Sequence, residues 1–571
     1  MRKITKLEIA SVSALTLLFL ALALLNLGSL RIPSSYWVPE SISGEEKVQI
    51  IFDFGSIQQM KEIYIFLGDE KRTKFDLYGG SPDKWRFISS YDHEQYCSWG
   101  KIHVGMTSTQ FLRFVFDTSE SKGKIGEILV ISGENNRLVP LSVQDEGGSN
   151  TKNGDSERLI DEQDIVEIPL IQGYKYGTYF DEVYFVRAAH DYLNLKEPPE
   201  AHPPLGKLII ASGITCFGMN PFGWRILGVL AAVVMIPIMF LFGKRMFQST
   251  MAGFFAAALL TFDFAHFSLS RLATGEIYLA LFSLLMFYFF FDYFRSVNEG
   301  KAEKEAKIPL FISVICFGLW LATKWTSIFG FVAILILLLL SNLRNKKLIF
   351  SQYEIILAGL SVSAAIYIAA YIPYMLSGSG HGLRDVIMKQ FGMFGYHAWI
   401  VVGATHPFSS PWWSWPLMLK PLWMYSNTVN NTVSTIVLFG NPAIWWGGTI
   451  ALILVAVKFL RDVMKRREQR QDDLCLFILI PFILLWLPHA LITRILFIYH
   501  FIPAVPFMIF AITYWMNELH RRVSKGKFSA FILAVLILTA ILFFLFYPVI
   551  SGYPVTFEYK ESLKWLKGWV F

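Results

Sequence analysis

The chain has 571 residues, of which 54% are hydrophobic, 16% aromatic and only 17% charged, and its mean hydropathy is +0.45. These values exclude a series of soluble domains and indicate a membrane protein with several spans. The formal net charge of +7 would suggest a nucleic-acid ligand in a soluble protein, but much of the Lys and Arg lies in short loops between apolar runs. That placement is typical of membrane topology. The four cysteines are far apart, so neither a disulfide framework nor a CxxC metal site is predicted.

The first 30 residues combine three basic residues, Arg2, Lys3 and Lys6, with an apolar run. The run of roughly 22 residues is long enough to cross a bilayer. A cleaved signal peptide usually has a shorter apolar region and an Ala-x-Ala-like site. We therefore predict a retained transmembrane anchor over residues 1–30, with the N-terminus in the cytoplasm.

Residues 31–140 are polar and contain short runs with strand-like alternation, separated by Gly, Asp and Ser turns. This spacing predicts a β-sandwich outside the membrane. The order of Ile51 to Gly55, Phe75 to Gly79, Trp85, Trp99 and Phe111 to Phe114 resembles a discoidin-type jelly roll. That resemblance implies glycan binding, and a spacer or docking domain without a ligand is the alternative. Predicted strands cover 47–54, 62–67, 73–78, 84–90, 109–117 and 124–132.

Residues 141–170 are predicted to be a linker, and residues 171–550 an α-helical membrane domain. With the anchor we count eleven spans. Basic loops alternate between them and fall on the side of the N-terminus, which leaves the β-domain and a C-terminal tail at 551–571 outside. The ten spans after the anchor are predicted at 222–243, 249–264, 272–294, 308–322, 325–341, 354–375, 441–460, 474–488, 497–518 and 528–549.

Two adjacent carboxylates, Asp181 and Glu182, stand between the linker and the first of these spans. The residues that follow, up to Leu195, have apolar positions at helical spacing, which predicts a helix on the membrane surface. A solvated loop charge is the ordinary explanation of such a pair. Its place beside a bundle of membrane helices favours catalysis at the outer face.

Each of the three short outer loops contains a single cation: Arg271, Lys324 and Arg494. A single cation of this kind is explained when the charged end of its own long side chain reaches the membrane–water interface. Three together indicate an anionic ligand, and a phosphate fits, because Arg offers paired hydrogen bonds and Lys a point charge. With a carboxylate as the base for an alcohol acceptor, the set suggests inverting transfer of a sugar from a lipid-linked phosphate.

A series of motifs then occurs in order on the predicted outer side, from about residue 178 to 550, and it resembles the protein O-mannosyltransferases of the GT-C membrane glycosyltransferases. The motifs are Phe180-Asp181-Glu182-Val183, His202-Pro203-Pro204-Leu205-Gly206-Lys207, Trp224-Arg225, Ser270-Arg271, Lys324-Trp325, His406-Pro407 with Ser410 to Pro416, Gly440 to Trp445, and Arg494 with Phe497-Ile498-Tyr499-His500.

The resemblance implies that mannose moves from a polyprenyl-phosphate carrier to Ser or Thr of exported proteins. It implies Asp181 as catalytic base, Glu182 as a neighbour that arranges acceptor and sugar, and no cofactor or essential metal. Arg271, Lys324 and Arg494 would hold the donor phosphate. Candidates for the substrate pocket are His202, Lys207, His406, Trp412, Trp413, Tyr499 and His500, with structural His residues and interfacial Trp anchors as the alternatives.

Two features depart from the family pattern. Glu276 stands where the family usually has Asp, and the 376–440 segment is too short for the β-trefoil domain of eukaryotic members. The pattern is closer to bacterial members, so we predict a multi-pass protein of a bacterial cytoplasmic membrane. The resemblance also allows a dimer. The alternatives are a GT-C enzyme acting on a lipid or cell-wall glycan, a transporter, and a receptor, which would leave the three cations unexplained.

Overall fold

The computed structural model describes residues 5–39, 46–69, 71–146, 156–199, 201–298, 303–345, 350–378, 380–464 and 469–571. Residues 1–4 of the predicted anchor, 147–155 of the predicted linker and parts of the basic loops lie outside these ranges. The described α-helices are α1 Lys6–Leu24, α2 Glu182–Leu193, α3 Leu205–Phe217, α4 Pro221–Phe247, α5 Thr250–Thr261, α6 Phe264–Ser270, α7 Glu276–Asn298, α8 Glu303–Leu321, α9 Ser327–Asn345, α10 Phe350–Ala370, α11 Ile372–Met375, α12 Leu383–Gly395, α13 Pro442–Met464, α14 Gln469–Trp486, α15 Val505–His520, α16 Lys525–Ser551 and α17 Phe557–Ser562.

By length and composition, eight of the described helical segments could cross a membrane, or nine if the pair α5 and α6, bent by 59°, counts as one span. The protein is therefore an integral membrane protein with several spans. The prediction of eleven also counted α8 and α9, whose apolar parts, Lys307–Leu321 and Ser327–Leu343, are shorter. Helices occupy all eleven predicted ranges, but the number eleven stays a prediction.

A seven-stranded antiparallel sheet lies between α1 and α2. Its strand order is β3-β2-β4-β1-β5-β6, and β7 pairs with β1. The strands are β1 Lys47–Leu67, β2 Thr73–Ser81, β3 Lys84–His93, β4 Ser98–Asp117, β5 Ile125–Ser132, β6 Arg137–Leu138 and β7 Ser142–Glu146. A second sheet has the order β10-β9-β8, with β8 Leu422–Val429, β9 Thr432–Leu438 and β10 Val555–Thr556.

The long strands β1 and β4 link two halves of the first sheet. The first half of β1 pairs with β7, and its second half pairs with β5, while β4 follows β1 along its length. Buried residues of both halves, such as Phe52, Ile65 and Phe114, belong to one apolar core, as in a sandwich. The discoidin-type jelly roll itself stays a prediction.

Two predicted strands, 47–54 and 62–67, form the single strand β1. The Gly that suggested a turn, Gly55, has φ of +70° and lies in a shift of register between Asp53 and Gln58. A bulge takes up the extra residues without ending the strand. Similarly, β4 begins at Ser98, well before the predicted residue 109.

The second part of the predicted linker packs on the sheet. Leu159 is buried in its core, and the buried carboxylate of Glu127 accepts a hydrogen bond of 2.8 Å from the backbone N–H of Glu162. The chain then reaches α2 in a fixed position. A further contact holds the sheet to that region, because the N–H of Thr178 donates to the carbonyl of Cys97 over 2.8 Å.

Candidate active site

Phe180 and Asp181 form the turn that leads into α2. Phe180 has a left-handed backbone conformation with φ of +52°, which is unusual for a bulky residue and common at functional sites. Asp181 occupies the N-cap position of α2, but its side chain does not hydrogen-bond to the helix as a cap. The carboxylate is therefore not tied to its own helix.

The charges of two residues act on Asp181: Glu276, the first residue of α7, and Lys324, in the turn between α8 and α9. The residue as a whole is half-buried, but protein surrounds its carboxyl group. Loss of hydration, helped by the negative charge of Glu276, raises the pKa of Asp181 to about 7, against the opposing effect of Lys324. A carboxylate with a pKa near neutrality is well matched to the work of a general base.

Lys324 and Glu276 form a buried ion pair beside Asp181. The Nζ atom of Lys324 lies 2.6 Å from Oε1 of Glu276, and both residues are buried. The same ammonium lies 5.2 Å from the centre of the Tyr499 ring. The structure thus brings together Asp181, Lys324 and Tyr499 of the predicted site and adds Glu276, the residue at which the sequence departs from the family pattern.

Glu182 points into a different environment. Both of its oxygens accept hydrogen bonds of 2.7 Å from Arg225 of α4, and both side chains are fully buried. Oε1 also accepts a 2.9 Å hydrogen bond from the N–H of Ala273. Arg225 in turn donates to the carbonyls of Leu27, Tyr174 and Gly177. The contacts of Glu182 are those of a residue that positions α2, and the direct substrate role stays a prediction.

Arg271 is similarly occupied by the protein itself. Its terminal nitrogens donate to the carbonyls of Ala23 and Leu25 over 2.7 Å and of Asn26 over 3.0 Å, with a longer contact to that of Ser551. These carbonyls end α1 and α16, where helices leave unpaired acceptors. The structure therefore gives Arg271 a structural role, and the phosphate contact predicted for it stays a prediction.

Arg494 differs from Arg271 in its surroundings. It is half-buried, and within the described ranges its side chain makes no hydrogen bond or ion pair. Burial lowers its pKa, opposed by Tyr499, Tyr396 and Glu276. With Trp412 it lines a depression of about 250 Å³ on the surface of the protein. Arg494 is thus a cation without a described partner near the Asp181 group.

Two stacked histidines lie near both cations. The rings of His202 and His397 are 5.0 Å apart and nearly parallel. Burial, together with the charges of Lys324 and Arg494, lowers the pKa of His202 well below its usual value, and similar causes lower that of His397 to about 4. Both imidazoles are neutral at physiological pH. Lys207, also a predicted pocket residue, donates a 2.8 Å hydrogen bond to the carbonyl of His202.

His489 and His500 each have one buried ring nitrogen that makes no hydrogen bond to the described residues. Their Nδ1 atoms face the carbonyls of Trp486, at 3.1 Å, and Phe497, at 2.9 Å. Nδ1 must therefore carry the proton, and Nε2 presents a lone pair. Both Nε2 atoms are buried and have no partner among the described residues. The indole of Trp415 packs against both rings, at 5.1 and 6.0 Å.

The remaining predicted residues lie in the segment between α12 and β8. His406 accepts a hydrogen bond from the N–H of Phe408 at Nδ1 and packs on Phe497, which gives it a structural contact. The carbonyl of Trp412 accepts from the indole of Trp486, whereas Trp413 is exposed, as expected for an interfacial anchor. Within the described ranges no group of three or more His, Cys, Asp or Glu residues could hold a metal ion.

Sequence reasoning missed His397, His489 and Arg225 as parts of this region. In the sequence His397 and His489 are isolated among apolar residues, and neither belongs to a recognisable motif. Arg225 was part of a family motif, but its partner Glu182 lies 43 residues away in sequence. Only the fold brings these residues to one place.

Comparisons with known proteins identify the family of the membrane region. A family model described as "Dolichyl-phosphate-mannose-protein mannosyltransferase" matches residues 201–374, and one described as "C-terminal four TMM region of protein-O-mannosyltransferase" matches residues 383–569. These matches place the membrane region in the protein O-mannosyltransferase family.

Curated relatives extend the similarity. The chain is 24% identical over 462 residues to the polyprenol-phosphate-mannose–protein mannosyltransferase of Mycobacterium tuberculosis, which covers 68% of this chain and 86% of that protein. The protein of the same name from Corynebacterium glutamicum is 24% identical over 430 residues, covering 64% of this chain and 81% of that protein.

One solved structure shows the shared fold of this protein O-mannosyltransferase region. The Saccharomyces cerevisiae Pmt1-Pmt2 complex bound to the sugar donor superposes with a TM-score of 0.60 at 13% identity, over 69% of this chain and 89% of that one. The predicted GT-C membrane fold is confirmed at this level.

Proposed function

We propose that the protein transfers mannose from polyprenyl-phosphate-mannose to Ser or Thr hydroxyls of exported proteins. The observation that carries this function is the Asp181 carboxyl group, whose pKa is raised to about 7 and which lies beside the cation Lys324. A second cation, Arg494, acts on its neighbours Glu276 and Tyr499. A base for an alcohol and positive charge for a leaving phosphate are the two requirements of this reaction. The similarity to named mannosyltransferases supports the sugar and the acceptor.

In the proposed reaction, Asp181 takes the proton of the acceptor hydroxyl as its oxygen attacks C1 of mannose. The bond from C1 to the carrier phosphate breaks, and the phosphate leaves with the electron pair. Arg494 and Lys324 stabilise the charge that develops on that phosphate. One displacement inverts the configuration at C1 and needs no second catalytic carboxylate.

Two further residue groups support the reaction in this proposal. Glu182, held by Arg225, positions α2 and therefore Asp181. The Nε2 lone pairs of His489 and His500 accept hydrogen bonds from hydroxyl groups of the sugar, which would give these buried atoms their missing partners. No cofactor takes part, and the active site faces the outside of a bacterial cytoplasmic membrane.

The test is transfer of labelled mannose from polyprenyl-phosphate-mannose to exported protein in membranes. Wild-type protein should label Ser or Thr, and Asp181→Asn should lose activity by about 100-fold or more, since general-base catalysis contributes about that factor. Asp164→Asn is the matched control, because Asp164 is exposed outside the membrane domain. Label on a lipid or glycan instead of protein would contradict the acceptor, and full activity of Asp181→Asn would contradict the base.

A further inference from the structure

A cleft of about 550 Å³ lies between the N-terminal β-sheet, the segment before α2 and the edge of the second sheet. Its walls are rich in aromatic rings, including Tyr64, Trp99, Trp423 and Tyr425. No sequence motif marks this place, because its walls come from three separate parts of the chain, residues 64–101, 170–183 and 423–427. We propose that this cleft binds an extended segment of the acceptor polypeptide, in a site built jointly by the added β-domain and the membrane domain.

The first argument is the way in which β8 meets the cleft. Five consecutive residues, 423–427, line it. Side chains of a regular strand alternate between its two faces, and the shift of register between Trp423 and Tyr425 interrupts that alternation only once. A cleft lined by all five residues therefore follows the edge of the strand. Among the described strands, β9 is the only partner of β8, and the other edge of β8 therefore has backbone groups free for pairing.

An unpaired strand edge is a known way to bind an extended polypeptide. The peptide adds as a further strand, and its alternate side chains enter the neighbouring pockets. The five residues of β8 span about 16 Å at ~3.3 Å per residue, which is room for about five peptide residues. A glycan has no backbone amide ladder to pair with such an edge, so the geometry favours a polypeptide.

The second argument is the distance from the cleft to the proposed base. Tyr179 and Phe180 line the cleft, and Asp181 is the next residue. Consecutive Cα atoms are about 3.8 Å apart. A hydroxyl-bearing residue of a peptide in the cleft therefore passes close to the turn that carries Asp181. Phe180, with its left-handed backbone conformation, is the residue that joins Tyr179 of the cleft wall to Asp181.

The third argument is the direct attachment of the β-domain to this turn. The hydroxyl of Thr178 donates to the carbonyl of Tyr96, and the Tyr96 hydroxyl lies 2.8 Å from Nδ1 of His190 on α2. A side chain on Gly177 would approach the carbonyl of Cys97 to 2.8 Å, closer than normal packing allows. The β-domain wall of the cleft is thus fixed to the segment three residues before the base.

The chemistry of the lining indicates which segments would bind. The indole N–H groups of Trp99 and Trp423 are buried and lack partners among the described residues, so they can donate to peptide carbonyls. The cation Lys101 is already paired with Glu62 at 2.9 Å. The lining also contains one exposed carboxylate, Glu94. Aromatic walls favour a Ser or Thr flanked by apolar residues, and Glu94 disfavours acidic segments.

This inference rests on the proposed function, and it is tested with purified full-length protein, polyprenyl-phosphate-mannose and a ten-residue peptide with one Thr flanked by apolar residues. Ser98→Trp and Ser426→Trp each narrow the cleft from one wall. They should raise the KM for peptide at least about tenfold while the KM for the donor stays constant. Ser108→Trp is the matched control, because Ser108 lies on the same strand as Ser98 but is exposed outside the cleft.

A second measurement uses the wild-type protein and therefore does not depend on how the variants fold. A series of peptides carries one N-methylated backbone amide at successive positions, which removes a single N–H donor in each. Pairing with the edge of β8 predicts that the KM rises at every second position, because amides of a strand point alternately to its two sides.

The outcomes separate the two proposals. If wild-type protein transfers no mannose to any peptide, the proposed function is wrong and this inference with it. If wild type transfers mannose but the narrowing variants and the N-methyl series leave the KM for peptide unchanged, the cleft is not the acceptor site. A cell-wall oligosaccharide could also compete in the assay. If Ser426→Trp abolished that competition but left the KM for peptide unchanged, the cleft would be assigned to a glycan and the inference would be overturned.

Discussion

The ammonium of Lys324 lies 2.6 Å from the carboxylate of Glu276, and both charges act on Asp181 with opposite signs. Glu276 raises the pKa of Asp181, and Lys324 lowers it. Burial of the carboxyl group is the main cause of its raised pKa, and the ion pair beside it adjusts the pH range in which the base is ionised. Each partner can be neutralised separately, and the two substitutions should shift the pKa of Asp181 in opposite directions.

We expect kcat/KM to fall about tenfold per pH unit below a pKa near 7, since only ionised Asp181 can take a proton. Glu276→Gln removes the charge that disfavours the carboxylate, so this acid limb should move to lower pH. Lys324→Met removes the charge that favours it, so the limb should move to higher pH, with a larger KM for the donor. The pH profile of each variant checks this, and shifts in the same direction would contradict it.

The pair of Glu182 and Arg225 predicts an effect on stability. Arg225→Met leaves the fully buried carboxylate of Glu182 without its partner, which typically costs about 3–5 kcal/mol. Activity and melting temperature in detergent should therefore fall together. Adding Glu182→Gln to Arg225→Met should restore part of the stability, because no unpaired charge is then buried.

Asp181→Asn is the control variant for the measurements on Arg225→Met. It changes a carboxyl group that does not cap its helix to an amide of nearly the same shape, so activity should be lost with little change in melting temperature. If Arg225→Met lowered activity without lowering the melting temperature, the positioning role of the pair would be wrong.

The parts of the fold that local patterns determine could be predicted from the sequence. Helices occupy the predicted apolar ranges because an apolar run long enough to cross a bilayer predicts a helix without information from the rest of the chain. The strand-like alternation of 109–117 predicted part of β4, and the apolar spacing after Asp181 predicted α2. The structure places Asp181 at the start of that helix, and its location on the membrane surface stays a prediction.

Contacts between distant parts of the chain could not be predicted in this way. Arg271 looks identical in sequence to a ligand-binding cation, but its hydrogen-bond partners, the carbonyls of Ala23 and Leu25, come from about 250 residues earlier. Glu276 departed from the family pattern, yet its longer side chain still reaches Lys324. Pairing of charges depends on where helices end relative to one another, and no local pattern records that.

Arg271 and Arg494 offer a final prediction, because the same substitution should have different consequences at the two positions. Arg494→Gln removes a cation that has no partner among the described residues, so the fold should lose little. The proposed phosphate contact would be lost, and the KM for the donor should rise about tenfold, as expected for one charged hydrogen bond of about 1.5 kcal/mol.

Arg271→Gln should instead lower stability. It leaves buried carbonyls at the ends of α1 and α16 without donors, at a cost of at least about 2 kcal/mol. Melting temperature and the KM for polyprenyl-phosphate-mannose, measured for both variants in the same detergent, separate the two effects. If Arg271→Gln raised the KM for the donor with an unchanged melting temperature, Arg271 would be the phosphate ligand that its sequence motif implies. Its guanidinium group would then have to leave the carbonyls at the helix ends when it binds the substrate.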